Sequence, residues 1–183
     1  MLLTDPGLFE GLRRRDPQAM GQLYDQFGKV VYSLIYRIVQ DAGAAEDLVQ
    51  ETFLRVWNQA HAFDPARGSA AAWVLTVARN RAIDWKRSAA GRPDRTVWET
   101  YDEERPARFL DMEEVMIHSD QARRVREAMA RLNQTQRGLI EMAYFEGLSQ
   151  SEMAERTGHP LGTIKTWVRA ALKTLREELT GAS

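Results

Sequence analysis

Residues 148–175 read LSQSEMAERTGHPLGTIKTWVRAALKTL, and almost every position in this stretch has a local physical reason to be where it is. Ser149 is placed to cap a helix, Glu152 to return the hydrogen bond as a capping box, and Leu148 to pack on Met153 as a hydrophobic staple. Gly158 stands where that helix must stop in a left-handed conformation. Pro160 stands where a second helix begins without needing the amide hydrogen that proline lacks. Along this second helix Ile164, Val168, Ala171, Leu172 and Leu175 recur at helical spacing and point inward, which leaves Thr163, Lys165, Thr166, Arg169 and Lys173 outside. The stretch reads as a helix-turn-helix with a cationic, hydroxyl-rich outer face, the arrangement that lays a helix in the major groove of DNA. A plain helical hairpin with a solvated basic side is the competing reading, and the agreement of the boundary signals weighs against it.

A DNA-binding face fits poorly with a net charge of −1 until the charge is divided along the chain. Residues 1–90 carry +1, residues 91–120 carry −5 and residues 121–183 carry +3, so the acidic excess sits in the middle. The chain has no cysteine, which removes disulfides, thiolate metal sites and thiol nucleophiles. His61, His118 and His159 are too scattered to form a site. No paired carboxylates with a plausible cleft, Ser/His/Asp set or glycine-rich phosphate loop stands out, so we expect no catalysis, no metal, no cofactor and no small-molecule substrate. No apolar run is long enough to span a bilayer and the first residues lack a signal-peptide pattern, which predicts a cytoplasmic protein.

The apolar spacing predicts an all-α chain of two small helical domains. From Asp16, a candidate N-cap followed by Pro17, the series Met20, Leu23, Tyr24, Phe27, Val31, Leu34, Ile35 and Ile38 marks a long amphipathic helix. After a break at Asp41 to Gly43, Ala45, Leu48, Val49, Thr52, Phe53, Val56 and Trp57 repeat the period and predict an antiparallel partner. A loop with Pro65 and Gly68 follows, and Ser69 caps a third helix carrying Trp73, Val74, Val77 and Ala78. These elements make a first domain over 16–90. Residues 91–112, with Pro93, Pro106 and many charges, read as an acidic linker, and Trp98, Tyr101 and Phe109 within it suggest that parts of it dock. Val125, Met129, Leu132, Leu139, Ile140 and Ala143 then predict two helices leading into the helix-turn-helix, a second domain over 113–180.

Two further surfaces carry possible contacts. On the outer face of the second helix Asp47, Gln50, Glu51, Leu54 and Asn58 share one stripe, either a solvated face with a stray leucine or a docking ridge for a partner helix bearing arginines. At the end of the third helix Arg79, Arg81, Lys86 and Arg87 gather with Asn80, Asp84 and Trp85 behind the Phe63 to Ser69 loop. Basic groups beside aromatic ones suit phosphates and an unstacked base, while a cationic helix C-terminus favoured by its dipole is the equal alternative.

With both halves in view the chain resembles the extracytoplasmic-function sigma factors, the small two-domain class of specificity subunits of bacterial RNA polymerase. AEDLVQETFLRVW (Ala45 to Trp57) followed by AWVLTVARNRAIDWKR (Ala72 to Arg87) is similar to the family's second conserved region. LNQTQRGLIEMAYFEGLSQSEMAERTGHPLGTIKTWVRAAL (Leu132 to Leu172) is similar to its fourth. The resemblance implies a region 2 helical bundle and a region 4 helix-turn-helix joined by the acidic linker. It implies that Asp47, Gln50, Glu51 and Leu54 bind the clamp helices of the largest subunit of core RNA polymerase. Phe63, Arg67, Arg79, Asn80, Arg81, Lys86 and Arg87 would contact the minus-ten promoter element and help melt it, and Thr163, Lys165, Thr166, Arg169 and Lys173 would read the minus-thirty-five element. An anti-sigma factor that holds the protein inactive is also implied. The departures from the family pattern are His159 and Pro160 at the turn and Trp167 on the recognition helix. The alternative is a two-domain helix-turn-helix regulator that does not bind core polymerase.

Overall fold

The computed structural model describes residues 6–64, 66, 69–89 and 120–180. The fold is all-α, with no strand among the described residues, and the chain divides into two compact units, Met1–Asp94 and Arg95–Ser183. The expected linker over 91–112 and the start of the second domain at 113 lie outside the described residues. No helix among them is long and apolar enough to cross a membrane.

The first unit contains α1 (Pro6–Arg13), α2 (Pro17–Val39), α3 (Ala42–Asn58) and α4 (Ala70–Ala89), with a short 3-10 turn at Ala60–Ala62. Each start signal has a physical anchor. The Asp16 carboxylate accepts from the Gln18 amide and Asp41 from the Ala44 amide, so α3 begins inside the expected break and Gly43 is helical. Ser69 Oγ accepts from the Ala72 amide at 3.1 Å and opens α4. Leu23, Phe27, Val31, Leu34, Ile35 and Ile38 of α2 bury against Leu48, Val49, Phe53 and Val56 of α3 and Val74, Leu75, Ala78 and Ala82 of α4. Tyr24 departs from the apolar series: it is 52% exposed, its ring lying on Phe53 at the edge of this core.

The domain also begins earlier than residue 16. Leu8, Phe9 and Leu12 of α1 are buried, and a Cβ added at Gly11 would meet the Ala19 Cβ at 2.7 Å, so α1 lies directly on the start of α2. Two bonds close its C-terminus, from the Arg15 amide to the Leu12 carbonyl and from the Asp16 amide to the Gly11 carbonyl. This closure places Arg15, rather than a glycine, at φ 61°.

The second unit contains α5 (Asp120–Ala130), α6 (Gln134–Phe145), α7 (Gln150–Thr157) and α8 (Leu161–Thr180). Asn133 and Gln136 form one capping box, Ser149 and Glu152 another. Gly158 closes α7 at φ 71°, and the Pro160 carbonyl accepts from Thr163 and Ile164, which makes Pro160 the residue just before α8 rather than its first turn. Leu139, Ala143, Leu148, Met153, Ile164 and Val168 form the core of this unit. The Arg124 guanidinium donates to the Leu179 carbonyl at 3.0 Å and ties α5 to the end of α8. Replacing Ser149 by alanine is expected to lower the stability of this unit by about 1 kcal/mol, because the Glu152 amide loses its side-chain acceptor, while the bond from the residue 149 amide to the Glu152 carboxylate is kept. Urea unfolding followed by circular dichroism checks this, and an unchanged midpoint would show that the cap contributes nothing.

Candidate functional site

Burial of one face of α3 creates the first surface. Leu48, Val49, Thr52, Phe53 and Val56 turn inward, and the buried Thr52 hydroxyl is satisfied by donating to the Leu48 carbonyl at 2.7 Å. The opposite stripe is therefore outside: Asp47, Gln50, Glu51, Leu54 and Asn58 are all exposed, Leu54 at 59%. An apolar side chain this exposed, bordered by two acids and an amide, has the composition of an interface centre with a polar rim. Glu51 is also ion-paired with Arg81 of α4, 30 residues away in sequence, and Asn58 Oδ1 accepts from the Arg15 guanidinium at 3.2 Å.

The second surface is smaller than the sequence implied. Phe63, Arg79 and Arg87 were expected at the minus-ten face, and the structure turns all three inward. Phe63 is 8% exposed, its ring stacked obliquely on Phe9 at 4.2 Å and close to Trp73 at 5.7 Å, so the aromatic wall belongs to the core. Arg79 and Arg87 are 4% and 7% exposed because they share the face of α4 that carries Ala78, Ala82 and Ile83. Arg79 donates to the Asn80 side chain at 3.3 Å. Asn80, Arg81 and Lys86 stay half-exposed beside Asp84 and Trp85. Arg67 lies outside the described residues.

On α8, Ile164, Val168, Ala171 and Leu175 are buried, while Lys165, Thr166, Arg169 and Lys173 are exposed and Thr163 is half-exposed. Thr166 donates to the Gly162 carbonyl at 2.9 Å, and Lys173 lies 3.7 Å from Glu177 one turn on. The two departures from the family pattern, at the turn and on α8, touch each other: the His159 ring meets Trp167 edge to face at 4.9 Å. Trp167 is half-buried against the core of the unit, so this pair braces the entrance to α8.

A helix-turn-helix with a cationic outer face in one unit and an exposed acid-amide-leucine ridge in the other narrow the class of protein. Residues 23–92 match the family described as Sigma-70 region 2 and residues 122–175 match Sigma-70, region 4. An ECF RNA polymerase sigma factor, SigK of Mycobacterium tuberculosis, is 39% identical over 161 residues, covering 88% of this chain and 86% of that one. The chain belongs to the ECF RNA polymerase sigma factors. RpoE of Cereibacter sphaeroides, another member, is 36% identical over 167 residues, or 91% of this chain and 89% of that protein. Among solved structures, SigE of Rhodobacter sphaeroides in complex with the anti-sigma ChrR is 38% identical, covers 93% of this chain and 95% of its own, and superposes with a TM-score of 0.49. Two structural features of this sigma factor lie outside what its sequence pattern indicates. One is α1, whose only signal was Leu8, Phe9 and Leu12 after Pro6. The other is the Glu51–Arg81 pair, which joins residues assigned to two different surfaces.

Proposed function

We propose that this sigma factor joins core RNA polymerase through Asp47, Gln50, Glu51 and Leu54, which dock on the clamp helices of the largest subunit. The observation that carries this reading is the exposure of Leu54 in the middle of that polar stripe. Burial of Leu54 supplies binding energy and the flanking carboxylates select a basic partner. Asn80, Arg81 and Lys86 of α4, with Arg67, face the minus-ten element once the holoenzyme has formed. Arg81 then exchanges or shares its contact with Glu51 for phosphate, at little cost, since an exposed ion pair contributes only about 0–1 kcal/mol.

Thr163, Lys165, Thr166, Arg169 and Lys173 read the minus-thirty-five element. Phosphate contacts set the register of α8 and base-edge contacts set its sequence preference. An anti-sigma factor silences the protein by covering the ridge or the DNA-facing helices. The protein works in the cytoplasm as a binding subunit, without a small-molecule substrate and without catalysis of its own.

Gel filtration of the purified chain with core polymerase, followed by run-off transcription from a promoter bearing both elements, tests the reading. Stoichiometric co-migration and promoter-dependent transcripts are the expected results. A chain that instead binds palindromic DNA alone and ignores polymerase is a conventional regulator. Within α8, Arg169→Ala is expected to relax preference at one base position, a loss of about 1–3 kcal/mol of discrimination. Lys173→Ala should weaken binding to all sequences evenly and reduce the salt slope by about one. Competition binding on single-base variants of the upstream element at several salt concentrations separates the two, and unchanged affinity in both variants would remove these residues from the interface.

A further inference from the structure

Among the described residues two that are not glycine adopt the left-handed conformation, Arg15 at φ 61° and Gln40 at φ 58°, each at the end of a helix. Glycine is the usual occupant of such a place, and any other residue incurs a steric cost through its Cβ. At Gln40 the side chain compensates locally. Its amide donates to the Arg37 carbonyl at 2.8 Å and to the Tyr36 carbonyl at 3.4 Å, among the carbonyls that the end of α2 leaves over. The Arg15 side chain leaves its own helix instead. Its Nη1 donates to the Trp57 carbonyl at 3.3 Å and to Asn58 Oδ1 at 3.2 Å, 42 and 43 positions away in sequence, and the guanidinium lies 5.4 Å from the centre of the Trp57 ring.

Asn58 is the last residue of the exposed stripe that starts at Asp47 and passes through Leu54. Arg15 is exposed as well, and both of these bonds use one nitrogen of a guanidinium that carries five donors. The stripe therefore ends in a cation. Its acids, Glu46, Asp47 and the Arg81-paired Glu51, precede Leu54 on α3, while Arg55 and Arg15 stand at the other end. The α3 dipole favours acids toward its start and Arg55 in its last turn. It gives no reason to bring Arg15 from another helix on a strained backbone, where glycine would close α1 equally well. Exposed contacts of this kind add little to stability, so the strain at Arg15 points to a use outside the fold.

We propose that Arg15 is a docking residue of the polymerase ridge and sets the direction of the partner helix: the clamp helix presents a carboxylate to Arg15 and its cations to Asp47 and Glu51. This rests on the reading of the α3 stripe as the polymerase-docking surface. A ridge that was acidic throughout would accept a basic helix in either direction. A ridge with a cation at one end rejects the reversed helix, because like charges would then meet at both ends. Guanidinium suits the place, since its planar fork matches a carboxylate with two parallel bonds.

Arg15→Gly is the deciding variant, because glycine takes φ 61° without strain and only the side chain is removed. The full chain, fluorescently labelled, is titrated with core polymerase at several salt concentrations beside Arg15→Lys, Arg15→Glu and Leu54→Glu, and thermal midpoints are read by circular dichroism. Arg15→Gly is expected to unfold within about 4 °C of the parent. Its affinity for polymerase should fall about tenfold at low salt, with the gap closing to about twofold at high salt, where charge pairs at an interface rim are screened. Arg15→Lys, which keeps the cation, should stay within about threefold of the parent, and Arg15→Glu should bind more weakly than Arg15→Gly. Parental affinity in Arg15→Gly, with Leu54→Glu impaired, overturns this proposal alone. So does a loss that salt leaves unchanged, a lysine variant as weak as the glycine one, or a loss of affinity matched by a fall in thermal midpoint, which would make Arg15 a cap on α3. Parental affinity in Leu54→Glu overturns the ridge reading itself, and the proposal with it.

Discussion

Replacing Leu54 by glutamate is expected to abolish association with core RNA polymerase while the first unit remains folded. Leu54 is 59% exposed, so its removal leaves no cavity, and glutamate is as good a helix former as leucine. In a docked complex the same side chain would lie at the centre of the polar stripe, where an apolar anchor is desolvated and carries a large share of the binding energy. Truncating such an anchor typically costs about 2 kcal/mol or more, equivalent to about 30-fold in the dissociation constant, and a buried charge adds to the loss. Leu54→Ala is the companion that removes area without adding charge, and its loss should be the smaller. Affinity is measured by fluorescence anisotropy of labelled chain titrated with core enzyme, and folding by thermal circular dichroism. Parental affinity in Leu54→Glu would eliminate the ridge as the docking site, whatever the rest of the chain does.

Replacing Ile164 by alanine is expected to remove upstream-element binding and to spare polymerase binding. Ile164 is fully buried in the cluster with Leu139, Ala143, Leu148, Met153 and Val168, where α8 meets α6 and α7. Shortening a buried isoleucine to alanine costs about 2–5 kcal/mol, through lost transfer energy and the cavity left behind. A unit this small holds only a few kcal/mol of stability in total, because much of its surface stays exposed on folding. The outward set on α8 is untouched by the substitution, so any loss of DNA binding reports the support of the helix. Mobility-shift assays on the minus-thirty-five element, paired with polymerase co-migration, read the two functions separately. Retained DNA affinity would mean that the cluster does not hold the recognition helix in place.

The helix-turn-helix was legible because its signals are local. Ser149, Glu152 and Gly158 act on backbone groups within four residues, and the inward series on α8 follows from helical geometry alone. The α3 ridge was legible as a stripe for the same reason, although its spacing alone favoured a solvated face over a docking surface. Less was readable around α4. Arginine is seldom buried, so Arg79 and Arg87 pointed toward solvent until Ala78, Ala82 and Ile83 drew their face of the helix into the bundle. Phe63 beside basic residues fits a base platform or a core ring, and the choice rests with Phe9, which comes from a helix of only eight residues whose pattern was too short to recognise.

The linear chain by itself determined the elements, their caps and the direction in which each side chain leaves its helix, since these depend on backbone geometry over one or two turns. Which outward-pointing groups remain reachable was decided only in the tertiary structure. Burial is a property of whatever packs opposite, and the partners of Phe63 and Glu51 come from Phe9, Arg13 and Arg81, dozens of residues away along the chain.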